Sequence, residues 1–600
     1  MIHEEDVLGK AYDARLMRRL LRYLRPYRLQ VAGASAAIIA HSGLELVPPL
    51  LTKTVIDRYI PAGDLSGLGG VAVLYLLTLC GSFALEYVQT TTMQMIGQRI
   101  MLDLRMQIYG RLQRLDLRFY DRNPVGRLMT RLTTDVDALN ELFTSGVVAV
   151  FGDLFTLIGI MAVLIWMDWR LAAIAFSVLP LIALLTQWFR VNVRESYRTV
   201  RVWIARINAF LQERITGMAT VHLFRREARD FAAFEAINGR HRDANVRSIF
   251  FYAIFYPAIE LVSALASALI LWFGGLWVMQ ESLSLGSLVA FLLYAQRFFR
   301  PISDMSEKFN VLQGAMASSE RIFVLLDTHV AIESPPQFRA PERPGPIAFE
   351  HVTFAYIDGE PVLRDVSFRI EPGERVGIVG ATGAGKTTLV NLLLRYYDVQ
   401  QGRITVDGID IREMDPGRLR GLFGLVLQDV HLFSGTVASN VRLGNDAIDD
   451  AAVRAAIEAV HADGFVNALP RGIETPVVER GATLSVGQKQ MLSFARALAF
   501  DRPVLILDEA TSSVDTETEL LLRDAVRVIM QGRTTIAIAH RLSTLQGLDR
   551  ILVFHKGQLR EAGTHQALLA ARGIYHRLYQ LQFQRDAPVG VPSKPATSTA

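Results

Sequence analysis

Six hundred residues exceed what one hydrophobic core organises, so two or more domains are expected. The composition is 51% hydrophobic and 20% charged, and 63 basic residues nearly balance 59 acidic ones, which excludes a global basic field and with it nucleic acid as a partner. Cys80 is the only cysteine, which excludes an intrachain disulfide and a cysteine-based metal cluster.

The chain starts with "MIHEEDVLGKAYDARLMRRLLRYLRPYRLQ", in which no cleavable signal peptide is visible. From Leu16 to Leu24 it is amphipathic and reads as a helix lying along the inner membrane surface. Six apolar runs follow, at about 29–59, 68–95, 140–166, 170–189, 248–278 and 283–303. A bilayer needs roughly 20 such residues, and "LFTSGVVAVFGDLFTLIGIMAVLIWM" carries a single charge. Each run merges on one side into polar, helix-favouring sequence, so helices longer than the bilayer are expected.

Arginines set the orientation. They crowd the connection from Arg99 to Arg131 and the one from Arg190 to Arg247. The opposite connections hold only Lys53, Arg58 and the Arg170 of "MDWR". The two basic connections and both termini therefore face the cytoplasm, in a multi-pass protein of the inner, cytoplasmic membrane. Within the runs lie Glu45, Glu86, Asp153 and Glu260, towards the inner leaflet, with Arg297 somewhat shallower. Such groups are costly in a membrane and raise a functional question by default. Internal ion pairs, for instance Arg297 with Glu260, or snorkelling to the inner interface are one reading. An acidic belt in an inward-facing cavity, suited to a cationic amphipathic substrate, is the other.

From Asp327 to Pro346 the chain is rich in proline and charge and reads as an extended connector. Past it the pattern alternates as in a soluble α/β protein. "IAFEHVTFAY" alternates as a strand, and "RVGIVG" is a short buried strand. The latter runs into "GATGAGKTT", Gly380 to Thr388, and then the helical "LVNLLLRYY". This is G-x-x-x-x-G-K-[ST] in strand–loop–helix context. Glycines let several N–H groups point inward at phosphates, and the helix N-terminus adds its dipole. Lys386 would reach the β- and γ-phosphates, and the Thr387 hydroxyl would bind Mg²⁺. In "PVLILDEA" a buried strand ends in Asp508, suited to the Mg²⁺ shell, and Glu509, placed to orient or deprotonate the attacking water.

Together "GATGAGKTT", "LSVGQKQ", "VLILDEATSSVD" and "IAHRLST" resemble, in order and spacing, the nucleotide-binding domain of an ABC transporter. With six preceding spans, the chain from about residue 15 to 583 is similar to an exporter-type half-transporter of the multidrug or lipid kind. The fold expected is multidomain. An all-α six-helix transmembrane domain (1–317) leads through a linker (318–346) to an α/β P-loop ATPase domain with a helical subdomain (347–583), followed by a disordered tail (584–600).

The resemblance implies ATP and Mg²⁺ as ligands and assigns residues. Gly380, Thr382, Gly383, Gly385, Lys386, Thr387 and Thr388 cradle the phosphates, and Tyr356 stacks on adenine. Glu509, His540 and Gln428 serve catalysis, the last also sensing Mg²⁺ alongside Thr387 and Asp508. Ser485, Gly487 and Gln488 are signature residues that reach the γ-phosphate held by the other subunit, and Asp515 lies in a loop crossing the dimer. "VVERGA" resembles the loop relaying nucleotide state to the membrane half. "RFYDRNPVGRLMTRLTTDVD", with Tyr120, Asp121 and Gly126, resembles the first coupling loop, and "ERITGMATVHLFRREARDFAAF" the second.

The signature in this family usually reads LSGGQ; here Val486 replaces its first glycine. Valine is stiff and poor at positive φ: a near-helical backbone would tolerate the change, whereas one that must approach the phosphate closely would weaken the site. Composite sites pair one subunit's phosphate loop with the other's signature, so Val486 would impair the site whose phosphate loop belongs to the partner. The expected partner is a second half-transporter, a heterodimer being favoured over a homodimer, together with membrane lipid and a hydrophobic or amphipathic small molecule. The implied activity is ATP-driven export by alternating access. An exporter-fold importer of a metal chelate, or an ATP-gated channel or receptor, would share these features.

Overall fold

The computed structural model describes residues 13–339, 341, 345–508, 516–538 and 547–586. The chain divides into two compact units, residues 1–113 with 125–328, and residues 114–124 with 329–600.

The first unit is helical. Its α1 (Ala14–Arg22) is the expected amphipathic helix, and the Asp13 carboxylate caps it by accepting from the amides of Arg15 and Leu16. There follow α2 (Arg28–Glu45), α3 (Val47–Thr54), α4 (Leu65–Leu112), α5 (Val147–Met167), α6 (Trp169–Phe176), α7 (Leu179–Thr216), α8 (Glu227–Met279) and α9 (Leu285–Asp327). Among the described residues five helical segments are long and apolar enough to cross a membrane: 25–62, 65–112, 150–167, 169–216 and 227–279. The sixth expected span opens α9 with a shorter apolar stretch, Leu285–Phe298. At 48 residues, α4 carries its apolar run on through the basic segment beyond it, as expected of a helix that outlasts the bilayer. The connector expected from residue 318 begins later, because α9 continues to Asp327.

The first span is broken at Leu46, just ahead of Pro48 and Pro49. Proline donates no N–H, so the carbonyls of Leu44 and Glu45 lose their usual partners one turn on. At the "MDWR" turn Asp168 accepts from the amides of Arg170 (2.9 Å) and Leu171 (3.0 Å), which starts α6 sharply. Asp57 caps α9 from the first span, its carboxylate accepting from the Gly286 amide at 2.7 Å and the Ser284 hydroxyl at 2.6 Å. The interior of α5–α9 is apolar, with Phe189 stacked on Phe255 at 4.0 Å and Phe291 and Tyr294 fully buried.

The second unit is α/β. Its strands are β1 (Ile347–Phe354), β2 (Leu363–Ile370), β3 (Arg375–Gly380), β4 (Gln401–Val406), β5 (Ile409–Asp410), β6 (Phe423–Val426), β7 (Gly435–Thr436), β8 (Pro476–Val477), β9 (Val504–Asp508), β10 (Thr534–Ile538), β11 (Arg550–His555) and β12 (Gln558–Gly563). The central sheet runs β12-β11-β3-β10-β9-β6, parallel except for the β11–β12 pair. An antiparallel sheet, β2-β1-β4-β5, lies beside it in the unit. Parallel strands buried on both faces should be uniformly apolar, and β9 and β10 are buried at every position. The helices that matter below are α10 (Lys386–Leu393), α11 (Val437–Arg442), α12 (Asp450–Ala459) and α13 (Val486–Ala499).

Candidate functional site

Strand register levels the ends of the central sheet. Ile538 pairs with both Ile378 and Asp508, and Val426 with Leu507. The loop after β3, the end of β9 and the bend after β6 therefore lie at one edge, the carboxyl edge where open α/β sheets bind ligands. That edge gathers Gly380–Thr388, Asp508 and Gln428, which are far apart in sequence.

The loop needs its glycines. Gly385 adopts φ +95° immediately before α10, and a Cβ there would stand 2.6 Å from Leu363 Cδ2. At Gly380 a Cβ would come within 2.4 Å of the Phe554 carbonyl oxygen. Lys386 is 6% exposed, and its ammonium donates to the carbonyls of Gly380 (2.7 Å) and Ala381 (3.3 Å). Burial pushes its pKa below the ordinary lysine value, and the charge of Asp508 opposes that shift. The lysine is thus placed where it is poorly solvated, its ammonium bonded to two carbonyls and felt by the Asp508 charge, and phosphate oxygens would serve it better. Thr382 and Thr387 are exposed and Thr388 is buried.

Asp508 ends β9, buried, while Gln428 stands exposed two residues past β6. Like the Thr387 hydroxyl, both carry oxygen donors, the kind a hard divalent cation such as Mg²⁺ accepts. Glu509, Asp515 and His540 lie outside the described residues, one and seven positions after Asp508 and two after Ile538.

Tyr356 sits beside the loop, its hydroxyl donating to Thr388 Oγ1 at 3.3 Å and accepting from Asn391 Nδ2 at 3.3 Å. Its ring meets Tyr397 edge-on at 5.1 Å. Tyr397 donates to the carboxylate of Asp121, at 2.5 Å. Asp121 belongs to the short helix Leu117–Arg122, within the expected first coupling loop. Burial, followed by that bond, raises the Tyr397 pKa. A continuous line of contacts thus runs from the phosphate-loop helix through two tyrosines to the coupling loop, and the role of Tyr397 had no signal in the sequence motifs.

The signature opens α13. Ser485 Oγ accepts from the Gln488 amide (3.2 Å), and Gln488 Oε1 accepts from the Ser485 amide (3.0 Å), a reciprocal capping box. Val486 is the first helical residue and 52% exposed, while Gly487 is buried. The backbone at Val486 is helical, so the branched side chain is tolerated there. Among the described residues no hydrogen bond joins this corner to the chain's own phosphate loop; α13 packs on α11, α12 and β6. Further along α13, Arg496 donates to the carbonyls of Asn440 (2.9 Å) and His431 (3.3 Å). Asn440 in turn brackets Phe433, bonding its amide and its carbonyl at 2.8 Å each. The segment after Gln428 is therefore fastened to the signature helix, an arrangement that pattern reading missed.

In the helical unit the four intramembrane carboxylates meet different surroundings. Asp153 on α5 is ion-paired with Lys308 on α9, a lysine absent from the sequence expectations. Glu45 faces His41 at 3.8 Å, and Glu86 and Glu260 are exposed. Arg297 is bonded to the Glu45 backbone carbonyl at 2.6 Å and not to Glu260, the partner named for it from the sequence.

Two family models match the chain: ABC transporter transmembrane region over residues 34–302, and ABC transporter over residues 363–512. The ATP-dependent lipid A-core flippase of Syntrophus aciditrophicus is 35% identical over 572 residues, covering 95% of each chain. The fatty acid ABC transporter ATP-binding/permease protein of Mycobacterium bovis is 35% identical, covering 96% of this chain and 97% of its own. The probable multidrug resistance protein YheH of Bacillus subtilis is 37% identical, covering 89% and 79%. A bacterial Atm1-family ABC exporter solved with ATP bound superposes with a TM-score of 0.78 at 27% identity, covering 94% of this chain and 99% of that one. The chain belongs to the ABC transporters, as an exporter-type half-transporter in which a helical membrane domain is fused to an ATP-binding domain.

Proposed function

We propose that this chain is one half of a dimeric exporter that hydrolyses ATP to move hydrophobic or amphipathic molecules across the cytoplasmic membrane by alternating access. The observation that carries the reading is the shared sheet edge, where the phosphate loop, Asp508 and Gln428 converge in a chain whose other unit is built of membrane-length helices. The relatives named for a lipid A core, a fatty acid and multidrug resistance support an amphipathic cargo.

The residues divide the work. Tyr356 takes the adenine. The amides of the Gly380–Thr388 loop and the start of α10 hold the phosphates. Lys386 exchanges its two carbonyl partners for phosphate oxygens, which restores an anionic partner to a poorly solvated charge. Mg²⁺, held by Thr387, Asp508 and Gln428, would supply neutralisation of the β- and γ-phosphate charge. Glu509 orients and deprotonates water, and His540 bonds the γ-phosphate. Ser485, Gly487 and Gln488 complete the site of the opposite subunit, and Asp515 lies in the dimer crossing. Both termini and the nucleotide unit lie in the cytoplasm. Closure is driven by the higher affinity of ATP for the joined dimer.

Val486 places an exposed isopropyl group between Ser485 and Gly487, where a glycine would leave room for the partner's nucleotide. This favours a heterodimer in which the present chain contributes the competent catalytic glutamate. The test is ATP turnover by the chain alone in lipid, against Glu509→Gln. Negligible turnover that a second half-transporter restores, and that Glu509→Gln abolishes again, is expected. Robust turnover by the chain alone would make it a homodimer, and Glu509-independent turnover would overturn the assignment of the base.

A further inference from the structure

Arg297 stands 12 residues into α9, or about 18 Å along the helix from its outer end at the usual rise per residue. It is exposed, yet it lies within the apolar opening of the sixth span. An arginine at that depth is costly unless it faces a watery cavity or an anionic group. Its one hydrogen bond among the described residues goes to the Glu45 carbonyl, at 2.6 Å. That carbonyl is available because Pro49, four residues on, has no N–H to offer it. The Glu45 carboxylate is turned to His41, and Lys308, further along α9, is paired with Asp153. Nearby, the Tyr294 hydroxyl donates to the Leu46 carbonyl, pinning the same break in the first span to α9.

A guanidinium carries five N–H donors in a rigid fork. Here one is used as an anchor on a fixed carbonyl, which orients the plane, and the remaining donors have no carboxylate within ion-pair distance among the described residues. We propose that Arg297 is the recognition site for the anionic head group of the transported amphiphile, a carboxylate or a phosphate held by the free side of the fork. This rests on the amphiphile-export reading above and gives it a charge preference, the reverse of an acidic belt selecting cations.

The test is a tryptophan-fluorescence titration of the full chain in neutral phosphatidylcholine nanodiscs with dodecanoate, dodecyl phosphate and dodecanol. Wild type should bind the two anions about tenfold more tightly than the alcohol. Arg297→Gln should remove that preference and leave dodecanol affinity unchanged. Arg297→Lys keeps a donor for the Glu45 carbonyl and a positive charge but loses the fork, so it guards against a simple folding defect and should retain part of the preference. Preference for one anion alone would identify the head group as carboxylate or phosphate and support the proposal. Equal binding of all three probes by wild type, or an Arg297→Gln preference unchanged from wild type, overturns the proposal and leaves amphiphile export standing. Failure of wild type to bind any of the three overturns both.

Discussion

Lys386 illustrates how a single residue stores binding energy. Desolvation lowers its pKa, and its ammonium makes do with the carbonyls of Gly380 and Ala381. Desolvation makes the charged form costly there, a cost that a phosphate would offset. Lys386→Ala should therefore change the melting temperature of the ligand-free protein by no more than about 2 °C, since a strained charge and two modest hydrogen bonds leave together. It should abolish the stabilisation by ATP, which for wild type is about 2.7 kcal/mol at a hundredfold excess over Kd. A thermal-shift series with and without nucleotide checks both halves. Val486 is a residue whose identity posed a question that only the backbone answers. Its place as the first residue of α13 shows why a β-branched side chain survives there. The six letters around it give no dihedral angle, so the sequence alone left both outcomes open.

At the scale of elements, legibility followed distance along the chain. The phosphate loop and strands β3 and β9 were readable because each is a local demand: glycines where φ is positive, apolar runs where a parallel strand is buried. Contacts that tie one element to another were not readable. Arg19 and Asp327 form a two-pronged ion pair across 308 residues of sequence, at 2.6 and 2.8 Å, and nothing in either local pattern announces it. The same holds for Asp153 with Lys308 and for Tyr397 with Asp121. Arg496 is the clearest case with a measurable consequence. Burial lowers its pKa, and its guanidinium serves carbonyls of His431 and Asn440 with no carboxylate partner among the described residues. Arg496→Ala would orphan both carbonyls and free the segment that follows Gln428 from the signature helix. A loss on the order of 2 kcal/mol is expected, seen as a melting temperature lower by roughly 5 °C. Hydrogen exchange should rise first at residues 429–440, and an unchanged exchange pattern there would show that α13 does not hold the segment.

Across the whole molecule, the charge balance and the division into an apolar and a soluble half were evident from composition, and the two compact units follow it except that residues 114–124 group with the second. That exception reflects one loop contributing Asp121 to Tyr397, a pairing that composition cannot register. Charge balance also sets how the soluble unit responds to acid. The Arg375 guanidinium bonds the Asp549 carboxylate at 2.7 and 3.2 Å, and the Arg375 amide adds a bond at 2.9 Å. These hold the Asp549 carboxyl below the usual aspartate range, the guanidinium bond contributing most. Asp415 is lowered likewise, chiefly by the Ser334 hydroxyl and then by the Arg418 amide. A carboxyl whose folded pKa is depressed stabilises the fold above its unfolded value, about 3.9, and ceases to do so as pH falls through the folded value. The Arg375–Asp549 pair is partly exposed, so its contribution is under about 1 kcal/mol. Thermal unfolding of the full chain should then be flat between about pH 7 and pH 5 as far as this pair is concerned. Arg375→Ala should melt slightly below wild type in that range, and the gap should close as the pH is lowered beneath about 4. A gap that stays constant down to pH 3 would mean that the arginine acts through packing and not through the aspartate's charge.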